Sequence, residues 1–269
     1  MKIFGRDIKR YLLACLQLPT ITVAIIRTII IFKHPFNVLK CYIEKKSPNN
    51  RVVELRNGKK IYLSDDPLDI LTVFLIFSRK DYGNVKAGST VLDIGANIGV
   101  FSLYAAFSGA NKITAFEPSE SSFHILQQNI KQNHLESVVS INRNAVVGIP
   151  KKHVKFPKES NVLNTILPDS SDAAEYDLVE AISFSKIIND LGNIDLLKID
   201  CEGGEYEIFL NTVADDIKKV DEIRMEYHIG PYEEMVTRLK GLEYDINQFM
   251  SENNGGGCLW LSKKTPKST

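Results

Sequence analysis

The chain has 269 residues, 44% of them hydrophobic and 25% charged, which is the balance of a globular protein with room for one large domain and an appendage. Its 33 basic and 33 acidic residues give a formal net charge of zero, which argues against nucleic-acid binding through bulk electrostatics. The four cysteines, Cys15, Cys41, Cys201 and Cys258, are far apart and form no CxxC pair, so neither a zinc site nor a disulfide framework is indicated and a reducing, cytoplasmic setting is expected.

The first predicted element is an apolar stretch from Tyr11 to Phe32, preceded by Lys2, Arg6, Lys9 and Arg10. Its length approaches that of a membrane span. Gln17, Pro19, Thr20 and Arg27 interrupt it, however, and an arginine inside a lone span is costly. Helices docked on the main domain, peripheral membrane contact through residues 11–32 and a true span are the three readings. The polar run Lys45 to Asn50 reads as a linker, so the chain divides into an N-terminal apolar helical segment, 1–50, and a main domain, 51–269. Val52–Leu55 and Lys60–Leu63 flank Asn57-Gly58, the signature of a β-hairpin. Pro67 then opens a helix that continues through the apolar run Leu68 to Phe77.

From Thr90 the pattern alternates between strand and helix. Strands are predicted at Thr90–Ile94, Lys112–Phe116, Val138–Asn142, Ile194–Ile199 and Asp221–Tyr227. Helices are predicted at Gly99–Phe107, Ser119–Asn133, Phe184–Leu191, Glu205–Leu210 and Tyr232–Leu239. Residues 148–180 are polar and read as an inserted hairpin or loop. Gly255-Gly256-Gly257 turns into a last strand at Cys258–Leu261. Strands alternating with helices imply an α/β, doubly wound, mostly parallel sheet. Ligands of such sheets sit at the carboxyl ends of the strands, and this selects Asp93, Glu117, Asn144, Asp200 and Glu226.

Four motifs carry chemistry. In Val91-Leu92-Asp93-Ile94-Gly95-Ala96-Asn97-Ile98-Gly99 the glycines permit a tight strand-to-helix turn. Asn97 stands where a dinucleotide fingerprint needs glycine, and no Walker lysine follows. Asp93 repels phosphate and suits a cationic ligand such as S-adenosylmethionine. Glu117, before Pro118, can accept hydrogen bonds from ribose hydroxyls. Asp200, Glu202, Glu205 and Glu207 crowd one strand-to-helix turn, although Glu205 and Glu207 can equally serve the helix dipole. In Glu226-Tyr227-His228 the outer two residues share a face of an extended segment, and histidine can act as a base near neutral pH.

Together these motifs resemble the FkbM-type methyltransferases, a family of S-adenosylmethionine-dependent class I enzymes. The resemblance rests on LDIGANIGVFSLYAA from Leu92, AFEPS from Ala115, Asn129 and Asn133, the Asn144-Ala145 step, LLKIDCEGGEYE from Leu196, and EYH from Glu226. The family often has histidine where this chain has Gly204. The resemblance implies a Rossmann-like seven-stranded sheet with an antiparallel final hairpin. It also implies a loop at Gly95, Asn97 and Gly99 that holds the amino-acid part of the cofactor, Glu117 on the ribose, and the Asn144 segment by the adenine.

The expected reaction is O-methylation of a hydroxyl on a glycan, a lipid-linked sugar or a secondary metabolite, with no nucleic-acid partner. The expected base is His228, or Asp200 in its place, with Glu226 beside them. An alternative set of Asp200, Glu226 and His228 around a divalent ion would acidify the hydroxyl. A non-catalytic methyltransferase-like binding module and a nicotinamide-dependent oxidoreductase are the rival readings.

Overall fold

The structure is a computed structural model that describes residues 2–3, 6–157, 176–251 and 256–264. Its contacts divide the chain into two compact units, 1–83 and 84–269. The hairpin expected at the head of the main domain therefore groups with the N-terminal helices.

In the first unit, strands β1 (Lys2–Ile3) and β2 (Arg6–Asp7) precede the long helix α1 (Ile8–Ile31). Helix α2 (Pro35–Glu44) has proline in its first turn, where a missing N–H costs nothing. Strands β3 (Val52–Glu54) and β4 (Lys60–Tyr62) form the antiparallel hairpin around Asn57-Gly58. Helix α3 (Asp69–Val73) then runs into a π-helical turn at Phe74–Arg79, which interrupts the single helix expected there. Arg27 is satisfied inside this unit, because its Nη1 donates to the carbonyls of Ser78 at 3.2 Å and Arg79 at 3.4 Å. Thr28 Oγ1 donates to Ser78 Oγ at 2.7 Å. Among the described residues no helix is long and apolar enough to cross a membrane. The described part of this segment exposes Ile21, Val23, Ile25, Ile26, Ile29 and Ile30, and the side chains of 11–19 lie outside the described residues.

The second unit begins β5 (Thr90–Ile94), α4 (Val100–Phe107), β6 (Lys112–Phe116), α5 (Glu120–Gln132) and β7 (Val139–Asn142). Strands β8 (Ala145–Val147), β9 (His153–Pro157) and β10 (Tyr176–Ser183) follow. The unit ends with α6 (Phe184–Leu191), β11 (Ile194–Ile199), α7 (Gly204–Asn211), α8 (Ala214–Ile217), β12 (Val220–Tyr227), α9 (Tyr232–Gly241), β13 (Tyr244–Ser251) and β14 (Gly257–Lys263).

Seven strands form one sheet in the order β13-β14-β12-β11-β5-β6-β7. The pairs β12–β11, β11–β5, β5–β6 and β6–β7 are parallel, and the β13–β14 hairpin is antiparallel. This is a doubly wound, mostly parallel α/β sheet that ends in an antiparallel hairpin. Its parallel strands read as near-continuous apolar runs because helices cover both faces: Leu92, Leu197, Ile199, Ile223 and Met225 are fully buried. The chain runs outward from β5 through β6 to β7, then returns to β11 on the other side of β5. The switch point lies between β5 and β11, and ligands of such sheets sit at the carboxyl ends of the strands there.

The described ends of the polar insert pair as antiparallel strands, in keeping with the hairpin reading. Strands β8, β10 and β9 make a separate small sheet, with β9 antiparallel to β10 from His153↔Glu180 to Pro157↔Tyr176. The centre of the insert, 158–175, lies outside the described residues, as does Gly255.

Candidate active site

The loop after β5 is built by close backbone approach. Gly95 has φ +72°, and a Cβ there would sit 1.8 Å from the carbonyl oxygen of Asp200. Gly99 caps α4 with φ +87°, and a Cβ there would meet Leu126 Cδ1 at 2.4 Å. Asn97, at the crest, is exposed and takes φ 50°, a region that asparagine tolerates better than most residues. Its N–H donates to Glu117 Oε2 at 2.7 Å, and the N–H of Ser119 donates to Glu117 Oε1 at 2.8 Å. The end of β6 is thus tied to the loop after β5. Burial pushes the Glu117 carboxyl up to about 7, against the two backbone donors and the nearby Lys198 cation.

Asp93 has an internal role that its motif position did not suggest. It has no exposed surface, and it accepts a 2.6 Å hydrogen bond from Ser102 Oγ. Its Oδ1 lies 3.4 Å from Lys198 Nζ, its register neighbour across the sheet. Direct contact with a cationic ligand needs accessible surface, so Asp93 acts on the loop through Lys198. Lys198 Nζ also donates to the Gly95 carbonyl at 2.5 Å and lies 4.0 Å from Asp200 Oδ2. Burial opposes the charge on Lys198, but Asp93 and Asp200 outweigh it and hold the amine above its usual range. The sequence reading overlooked this residue. A lone lysine in the apolar strand Leu196-Leu197-Lys198-Ile199 was the available signal, because a buried lysine requires a carboxylate partner.

A second cluster forms where β11 and β12 end. His228 Nε2 lies 3.0 Å from Glu202 Oε2, and His228 Nδ1 lies 3.0 Å from Glu205 Oε1. Glu202 reaches the ring because its backbone turns through φ 52°. Burial opposes a charge on His228, yet the hydrogen bond to Glu205 and the charges of Glu205, Glu202 and Asp200 push it up to about 9. Burial raises Glu202 to about 7, against the pull of His228. Asp200 is raised by burial as well, with Lys198 and His228 opposing.

Two expectations change here. The two carboxylates on either side of its ring favour the charged form of His228, which weighs against its serving as a resting base. The partner of Asp200 and His228 is Glu202 rather than Glu226. Glu226 pairs across the sheet with Cys258, and β12 ends at Tyr227, so the alternation that placed Glu226 and His228 on one face stops before His228. Ligand atoms of Asp200, Glu202 and His228 lie within 4.8 Å of one another, close enough to share a cation. Both ring nitrogens of His228 already face carboxylates, however, which is the arrangement of an imidazolium ion pair. Asn144 lies one residue before β8, with its side-chain amide 3.5 Å from the Glu180 carbonyl.

The donor set fits S-adenosylmethionine. Asp93 and Glu205 are sealed, which leaves the partly open Asp200 and Glu202 and the nearly buried Glu117 as the carboxylates that suit a sulfonium and an ammonium group. The Methyltransferase FkbM domain model matches residues 93–255. The chain belongs to this family. The FkbM match runs from Asp93 through Glu117, Asp200 and His228 and ends after β13.

Among curated proteins, the ribosomal protein L11 methyltransferase of Bacillus cytotoxicus is 28% identical over 101 residues, which is 38% of this chain and 31% of that protein. The L11 methyltransferase of Bacillus cereus strain AH820 is 26% identical over the same span. The chain thus covers about a third of the length of these relatives. Among solved structures, a ribosomal protein L11 methylase from Lactobacillus delbrueckii superposes with TM-score 0.41 and 15% identity, over 74% of this chain and 78% of that one. A tRNA methyltransferase from B. subtilis superposes with TM-score 0.43 and 13% identity, over 69% and 64%. These names correct the expected partners. The relatives named for a ribosomal protein run against the expected small-molecule or glycan acceptor with no nucleic-acid partner, so that expectation is withdrawn, and zero net charge does not exclude nucleic acid.

Proposed function

We propose that this FkbM-domain protein transfers the methyl group of S-adenosylmethionine to a hydroxyl oxygen. The observation that carries the reading is the placement of the Asn97–Glu117 pair and the Asp200–Glu202–His228 cluster at the carboxyl ends of one set of parallel strands. When bound, the cofactor supplies an electrophilic methyl group on a positively charged sulfur.

In this reading Glu117 orients the ribose. Each of its oxygens accepts one backbone N–H, and a carboxylate oxygen has a second lone pair for a hydroxyl. The exposed crest at Asn97 and the Gly95 turn hold the amino-acid end, and the Asn144 segment lies by the adenine. Lys198 keeps Asp93, Asp200 and the Gly95 carbonyl in place from below.

Glu202 receives the acceptor proton. A general base works best with a pKa close to the working pH, and Glu202 stands at about 7. The His228 cation fixes the Glu202 carboxylate from one side. The acceptor O–H bond breaks toward Glu202 while the new O–C bond forms in line with the departing sulfur, which keeps the electron pair.

The test is transfer of radiolabelled methyl from S-adenosylmethionine onto fractionated cell extract, including ribosomal protein and RNA. The reading expects wild-type label in an oxygen-linked methyl and a loss of roughly 10²-fold in Glu202→Gln, the low end for general base catalysis. Label found only on nitrogen, or full activity in Glu202→Gln, contradicts it.

A further inference from the structure

We propose that Glu205 is the positioning residue of this site: it holds the His228 ring by Nδ1 and so directs Nε2 at Glu202. The proposal rests on the methyl-transfer reading for its consequence and on geometry for its substance.

Three observations carry it. Glu205 has no exposed surface, and a single oxygen, Oε1, faces both the Cys201 N–H at 3.1 Å and His228 Nδ1 at 3.0 Å. One buried atom thereby ties the turn after β11 to the segment after β12. The other oxygen, Oε2, is buried with no hydrogen-bond partner. An unpaired buried polar atom costs about 1–3 kcal/mol, and an apolar side chain of similar size would avoid that cost. Third, the same helix grips the His228 backbone: Tyr206, the next residue in α7, donates its hydroxyl to the His228 carbonyl at 2.5 Å. A Cβ at Gly230 would sit 2.2 Å from the Tyr206 ring, so the chain beyond His228 is pressed against α7.

The ring of His228 is thus held on both edges, at 3.0 Å by Glu205 and at 3.0 Å by Glu202. The charged groups that face it are Glu205 from α7, Glu202 from the turn and Asp200 from the end of β11. Of the two carboxylates in contact, Glu205 is sealed from solvent while Glu202 is partly open, with 23% of its side chain exposed. Glu205 therefore sets the ring orientation, and Glu202 faces the acceptor.

The test combines kinetics with an NMR titration of the His228 ring. In Glu205→Gln, which preserves shape and one acceptor oxygen, kcat falls roughly 10- to 100-fold while the dissociation constant for S-adenosylmethionine stays within about 3-fold. The His228 titration midpoint also falls toward that of free histidine. A merely structural role would move melting temperature and cofactor affinity but leave the His228 midpoint in place, and that result overturns the proposal. If Glu205→Gln does not fold, the wild-type titration decides: a His228 midpoint at the ordinary histidine value is the overturning outcome. Wild-type protein that shows the raised midpoint but transfers no methyl group counts against the methyl-transfer reading and leaves the Glu205–His228 link standing.

Discussion

Replacing Lys198 with methionine tests how the cofactor loop is supported. The amine is almost sealed from solvent, with 5% of the side chain exposed, and its partner Asp93 has none. Lys198→Met removes the 3.4 Å ion pair to Asp93, the 2.5 Å hydrogen bond to the Gly95 carbonyl and the longer contact to Asp200. Asp93 is left with Ser102 as its hydrogen-bond donor and a charge that burial cannot tolerate. Removing one partner of a buried pair costs about 3–5 kcal/mol. At roughly 2–4 °C per kcal/mol for a unit of this size, the melting temperature should fall by about 10 °C. The single tryptophan, Trp260, lies in β14 of the same sheet and reports urea unfolding by fluorescence. The double variant Lys198→Met/Asp93→Asn removes the stranded charge and should recover at least about 1 kcal/mol of the loss. A single variant within about 1 kcal/mol of wild type, or strict additivity in the double variant, would refute the argument that the two charges depend on each other.

Three further outcomes follow from the same geometry. Gly95→Ala should cost at least about 2 kcal/mol in urea unfolding and abolish cofactor binding, because φ +72° disfavours a side chain and the Asp200 carbonyl occupies its place. His228, raised from 6.5 to about 9, contributes stability that is complete below pH 6.5 and lost as pH rises through 9. The wild-type melting temperature should therefore decline over that interval, and His228→Gln should decline less steeply. Glu117, raised from 4.5 to about 7, acts in the same direction at lower pH, with stability present below 4.5 and lost as pH climbs through 7. Glu117→Gln should flatten the wild-type curve between those values, and an unchanged curve would count against the burial of that carboxylate.

The strands that carry the site were legible because parallel, doubly covered strands read as short apolar runs. Thr90–Ile94, Lys112–Phe116 and Ile194–Ile199 fall where the pattern put them. The Gly95–Gly99 turn was legible for the same reason, since few residues other than glycine permit that backbone. Strand β8 was not legible, being only three residues long, and β9 and β10 were legible only as an inserted hairpin or loop. The pattern of β13 is broken by a register shift between Ile246 and Gln248, which hides its alternation. The acid–imidazole cluster was half legible. Residue types named the region, but the choice of Glu202 over Glu226 depends on a left-handed backbone at a non-glycine residue, which no side-chain pattern announces. The burial of Glu205 depends on α7 meeting the chain beyond β12, a long-range contact absent from local sequence.

Isothermal titration calorimetry tests most directly whether the carboxyl ends of β5 and β6 hold S-adenosylmethionine through Glu117. Wild-type protein should bind one equivalent, and Glu117→Ala should bind about 10- to 100-fold more weakly, the worth of hydrogen bonds to a charged acceptor. No heat of binding in the wild type, or an equal affinity in Glu117→Ala, would contradict the account.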